Sequence, residues 1–172
     1  VRGRRADAIL FDRAGALVVS LPAGVDPRDV ALRPGAAEAV ARARAAGVAI
    51  GVVTSKTDDL PPEAAERVNR RVDELVGQAD VWLECPHHPS EECLCRKPAP
   101  GLIYLAAAAL GTRPERCVVV GDLRADVDAA EAAGAQAILV PSARTSCGDV
   151  EAAPAVAASL DEAVAIVLGE AA

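Results

Sequence analysis

Aromatic side chains are nearly absent from this chain, which has one Trp, one Tyr and one Phe among 172 residues. A core must therefore be assembled from Val, Leu, Ile and the abundant Ala, a composition that says little about function. No apolar run approaches the roughly 18 residues that a membrane span needs, and the opening "VRGRRADAILF" has too short an apolar run for a signal peptide. The expectation is a cytoplasmic protein with no membrane partner. A basic face is missing too: net charge is -7 and the arginines are scattered along helical stretches, which argues against nucleic acid as a partner. Lysine is confined to Lys56 and Lys97. Cysteine is present without the pattern of a disulfide framework. Cys85, Cys93 and Cys95 crowd together while Cys117 and Cys147 stand alone, which suits metal binding in a reducing compartment.

What is there is apolar and periodic. With 52% hydrophobic residues, the length suits one well-buried core, and a single domain over residues 1–172 is expected. Strands are predicted at 7–11, 48–54, 79–84, 117–122 and 135–141. Helices are predicted at 33–47, 61–77, 100–111, 124–134 and 159–169, with Pro34 in the first turn of the first and Gly47 at its C-terminal cap. Residues 112–115 start a turn, and the segment 142–158, rich in small residues, reads as a mobile loop. Alternation of strand and helix implies a parallel sheet with helices on both faces, because parallel strands need crossover connections. Ligands bind such sheets beyond the carboxyl ends of the strands. The polar residues that end the strands, Asp12, Thr54, Glu84 and Asp122, therefore carry the functional information.

"CPHHPSEECLC" (85–95) holds a C-x-H pair, Cys85 and His87, and a C-x-C pair, Cys93 and Cys95. Zinc takes four soft or borderline ligands in a tetrahedron, and two short-spaced pairs on one loop supply them. His88 competes with His87 for the role. With all four positions filled by protein the site would be structural, stapling the loop and holding "RKP" (96–98) beside the strand ends.

A second constellation is dispersed along the chain: Asp12, Thr54, Lys97, and Asp122 with Asp126 in "GDLRAD". Taken singly, Asp12 is a turn residue and Asp122 a cap for the helix near Arg124. Taken together at neighbouring strand ends, the carboxylates would repel one another unless a cation lay between them, and hard oxygen donors suit magnesium. Magnesium and Lys97 would neutralise phosphate charge, Thr54 would donate a hydrogen bond, and Asp12 would attack phosphorus.

The order Asp12, Thr54, Lys97, Asp122 and Asp126 resembles the four motifs of the haloacid dehalogenase superfamily. "CPHHPSEECLCRKPAPGL" resembles its subfamily IIIA branch of heptose-bisphosphate and histidinol-phosphate phosphatases. The resemblance implies a Rossmann-like three-layer fold with no large cap, catalytic magnesium, structural zinc, and hydrolysis of a sugar phosphate through an aspartyl-phosphate on Asp12. It makes Asp12 and Asp122 magnesium ligands, Asp126 their supporting carboxylate, Thr54 and Lys97 phosphate anchors, and Ser55 and Arg96 substrate contacts. It also makes the backbone carbonyl of position 14 a magnesium ligand.

Motif one departs from that pattern. The family reads D-x-D-G-T and this chain reads "DRAGA", so Ala14 replaces the aspartate that serves as general acid and base, and Ala16 replaces the threonine. Loss of such a group costs about two to four orders of magnitude in rate. Alanine at this position also occurs in a phosphonate-cleaving branch, but that chemistry needs a Schiff-base lysine from a cap. In motif two, Asp58 and Asp59 would repel a second phosphate. The expectation is a weak magnesium-dependent sugar-phosphate phosphatase of carbohydrate metabolism. The alternative is an inactive pseudoenzyme that binds a sugar phosphate or a partner protein.

Overall fold

The computed structural model describes residues 6–19, 26–55 and 61–170. Lys56, Asp58 and Asp59 lie outside them. Five strands, β1 (Ala8–Phe11), β2 (Ala49–Ser55), β3 (Val81–Cys85), β4 (Cys117–Gly121) and β5 (Gln136–Leu139), form one parallel sheet in the order β3-β2-β1-β4-β5. The helices are α1 (Ala36–Ala45), α2 (Pro62–Val76), α3 (Gly101–Ala109), α4 (Arg124–Ala133), α5 (Cys147–Ala152) and α6 (Leu160–Leu168).

Alternation along the strands sets the layers. Ile9 and Phe11 of β1, with Ile50, Val52, Val118 and Val120, pack under α1, α2 and α6. Ala8 and Leu10, with Val53, Val119 and Leu139, pack under α3 and α4. Successive side chains of a strand point to opposite faces, so a sheet covered on both sides reads as an unbroken apolar run. The result is a three-layer α/β/α Rossmann-like fold. Among the described residues, no connection folds into a cap domain.

The strand order reverses at β1, with β2 on one side and β4 on the other, which creates the switch point where such sheets bind ligands. Phe11 pairs with Val52 and with Val120, so Asp12 and Asp122 leave neighbouring strands at the same rim. The backbone N–H of Asp12 donates to Val120 O at 2.9 Å, continuing the β1–β4 ladder by one residue.

Three sequence expectations change. Helix α1 begins at Ala36 behind an N-cap Gly35 with φ 78°, so Pro34 precedes the helix instead of opening it. Asp122 does not cap α4. Leu123 is the N-cap, and Asp126 Oδ2 accepts from the backbone N–H of Asp122 at 3.2 Å and of Leu123 at 3.1 Å. The segment 142–158 is not loop throughout. It contains α5, capped by a reciprocal Ser146–Asp149 pair, and Val156 bridges back to Leu139. A run of small polar residues fits a helix cap as well as a loop, and sequence pattern alone does not separate the two.

Candidate active site

Asp12, Thr54, Asp122 and Asp126 are all buried at the rim. Lys97 arrives from the loop before α3, and its Nζ donates to Asp12 Oδ1 at 2.5 Å, to Asp126 Oδ1 at 2.5 Å and to Val53 O at 3.3 Å. One ammonium thus ties a strand end, a helix first turn and the neighbouring strand together. Asp126 spends one oxygen on Lys97 and the other on the α4 N-terminus. Gly121 permits this, since a Cβ there would collide with the Asp126 carboxylate.

Burial pushes the Asp12 carboxyl up to about 6; Lys97 opposes that push, while Asp126 and Asp122 add to it. Burial works against the charge on Lys97, but Asp12 and Asp126 together outweigh it and raise the pKa of the ammonium. The carboxylates of Asp12, Asp122 and Asp126 bring ligand oxygens within 4.8 Å of one another. Hard, buried, anionic oxygens in such proximity fit magnesium.

Thr54 is buried at the end of β2, and the buried Oγ of the adjacent Ser55 has no partner among the described residues. Ala14 is buried in the tight turn after β1, where Gly15 N donates to Val18 O at 2.8 Å. Arg96 points to the cysteine loop, with Nη1 donating to His87 O at 3.0 Å and its backbone N–H to Cys93 Sγ at 3.3 Å.

The thiol cluster closes as its spacing predicts. Sγ of Cys85 lies 3.7 Å from Cys93 Sγ and 3.2 Å from Cys95 Sγ, and His87 Nδ1 lies 3.5 Å from Cys85 Sγ and 3.2 Å from Cys95 Sγ. Zinc–sulfur bonds of ~2.3 Å in a tetrahedron put sulfurs about 3.8 Å apart, so the donor set fits zinc. His88 is not part of it; its Nδ1 sits 2.7 Å from Ser90 Oγ. Burial and the neighbouring thiols push Cys95 up to about 12, so a cluster of thiolates needs a cation among them.

Two site residues escaped the sequence reading. Arg13 is fully buried, donates to Asn69, and lies 3.9 Å from Glu84 Oε2; Asn69 in turn donates to Glu84. Glu84 at the end of β3 is therefore the counter-charge of a buried guanidinium. Arg144 is the other. Its side chain binds Asp122 through Nε at 3.1 Å and Nη2 at 2.7 Å, and Nη2 also donates to Ala14 O. Extending the list of polar strand ends from β4 to "VPSARTS" after β5 would have pointed to it.

Comparison with known proteins places the chain. A family model described as HAD-hydrolase-like matches residues 94–163. The D-glycero-β-D-manno-heptose-1,7-bisphosphate 7-phosphatase of Pseudomonas putida is 34% identical over 119 residues, 64% of this chain and 68% of that protein. The chain belongs to the haloacid dehalogenase superfamily, on the branch of the heptose-bisphosphate phosphatases. A second member of that branch, from Bordetella bronchiseptica, is 30% identical over 142 residues, 77% of this chain and 79% of its own. The crystal structure of the D,D-heptose 1,7-bisphosphate phosphatase from B. bronchiseptica, complexed with magnesium and phosphate, matches with a TM-score of 0.82 at 25% identity, covering 96% of this chain and 99% of that one. In this chain Ala14 and Ala16 follow Asp12 closely, beside the buried Asp122 and Asp126 and the ammonium of Lys97.

Proposed function

We propose that the chain is a phosphoric monoester hydrolase that acts on a phosphorylated sugar and passes through an aspartyl-phosphate on Asp12. The observation that carries this reading is Lys97, bonded at once to Asp12 and Asp126 at the rim where Asp122 also emerges. Asp12 and Asp122, with the carbonyl of Ala14 and Asp126 in support, would hold magnesium, which neutralises phosphate charge. Thr54, Ser55 and Lys97 would anchor the phosphoryl oxygens, and Arg96 would contact the rest of the substrate. Asp12 Oδ forms a bond to phosphorus as the bond from phosphorus to the sugar oxygen breaks. That oxygen must take its proton from water, because Ala14 has none to give. Water then attacks phosphorus, releasing phosphate and restoring the Asp12 carboxylate.

Zinc on Cys85, His87, Cys93 and Cys95 would be structural, holding Arg96 and Lys97 at the rim. The reduced cluster fits a cytoplasmic setting, and no described helix is long and apolar enough to cross a membrane.

A second reading, favoured by Ala14 alone, is a binding module that keeps the site and has lost turnover, recognising a sugar phosphate or a partner protein. Phosphate release across a panel of sugar phosphates separates the two. The native chain should turn over slowly, and Ala14→Asp should raise the rate about 10²–10⁴-fold. Release by the variant alone establishes the binding module; release by neither rules out the phosphatase.

A further inference from the structure

Lys97 satisfies Asp12 and Asp126, whereas Asp122 is satisfied from outside the four motifs. Arg144 reaches both Asp122 oxygens and the Ala14 carbonyl oxygen. Those are two of the donors that the reading above assigns to the metal. The segment after β5 is shaped around this contact. Ser142 Oγ donates to Asp122 Oδ2 at 2.6 Å and accepts from Arg144 N at 3.0 Å. Thr145 Oγ1 donates to Asp122 O at 2.6 Å and accepts from Ser142 N at 2.8 Å. Opposite, Gly15 has φ 93°, and a Cβ there would run into the Asp122 carboxylate and Arg144 Nη2, so only a glycine turn admits the guanidinium.

Charge shows what the contact does. Asp12, Asp122 and Asp126 face Lys97 and Arg144, which leaves the rim one net negative charge and a poor host for a phosphate dianion. Exchanging the guanidinium for a dication removes that deficit. Arg144 also has somewhere to go. Its side chain is 38% exposed, and a cavity of about 380 Å³ lined by Gly15, Val18, Arg33, Pro141 and Ser142 opens beside it. Helix α5, which follows, buries none of its residues, so the segment can lift without breaking core contacts.

Building on the phosphatase reading, we propose that Arg144 is a gate on the cation site: its guanidinium holds the seat between Asp122 and the Ala14 carbonyl, and a divalent cation binds only where it has withdrawn. The apparent metal affinity is then lowered by the ratio of closed to open molecules.

Mn²⁺ titrated into the zinc-loaded full chain, followed by electron paramagnetic resonance of the free ion and by calorimetry, tests the gate without any turnover. Arg144→Ala and Arg144→Gln should each bind Mn²⁺ about tenfold tighter or more. Adding Asp122→Asn to Arg144→Ala should abolish that binding. Equal or weaker affinity in both variants overturns the gate and leaves the phosphatase reading standing, as does tight binding that survives Asp122→Asn. If native chain and variants are folded by circular dichroism and none binds Mn²⁺, the magnesium assignment itself falls, and the gate falls with it.

Discussion

The ammonium of Lys97 and the carboxylate of Asp12 meet at 2.5 Å with both side chains more than nine-tenths buried, although 85 positions separate them in the chain. Two charges in such surroundings are tolerable only as a pair, and Asp126 makes the pair a triad. Removal of Lys97 strands both carboxylates, whereas removal of the Asp12 charge leaves Lys97 paired with Asp126.

Lys97→Met should therefore destabilise the fold by about 3–5 kcal/mol at neutral pH, because two buried carboxylates lose their cation. A urea denaturation midpoint measures it. Lowering the pH should shrink the deficit as the stranded carboxyls protonate. A loss no larger than that of a surface substitution would mean that the triad opens to water in solution.

Asp12→Asn should do the opposite. The Asp12 carboxyl ordinarily titrates at 3.8 and is pushed up to about 6 in the fold, chiefly by burial. Between those values the folded chain binds more protons than the unfolded one, so ionisation of Asp12 costs stability above pH 6, and the cost disappears as pH falls toward 4. Asparagine mimics the neutral form. The variant should be more stable than the native chain at pH 7–8, with the advantage fading through pH 6 and gone near pH 4, as read from denaturant midpoints across that range. It should also release no phosphate. A variant less stable than the native chain at pH 8 would show that Lys97 dominates the balance at Asp12.

Native mass spectrometry of the intact chain should show one zinc per molecule. Stripping it with a chelator, or replacing Cys95 with Ser, should lower thermal stability, since structural zinc contributes directly to folding free energy. It should also weaken phosphate binding, because Arg96 and Lys97 follow the last ligand directly. A chain that carries no metal, or one indifferent to the chelator, would leave the cluster a set of packed thiols.

Much of this molecule was legible in one dimension because the signals are local. Each strand is a mostly apolar run, with β1, β3 and β4 closed by Asp12, Cys85 and Gly121, and the longer helices show an apolar period. The zinc ligands are two short pairs on one loop, whose mutual distances owe little to the rest of the fold. Even Asp12 and Asp122 could be placed at one rim, since a parallel sheet brings strand ends to the same side and the switch point selects β1 and β4.

Tertiary structure alone decided which charges meet. Arg13 follows Asp12 in sequence, yet it turns inward to Asn69 and Glu84 and is buried. His87 and His88 are adjacent, and only the path of the loop sends one ring to the thiols and the other to Ser90. Arg144 lies in a stretch with no hydrophobic period after β5, and its partner Asp122 follows a different strand, β4. Apolar periodicity is written along the chain because burial acts residue by residue, whereas the pairing of long polar side chains depends on distances that exist only once the loops have closed.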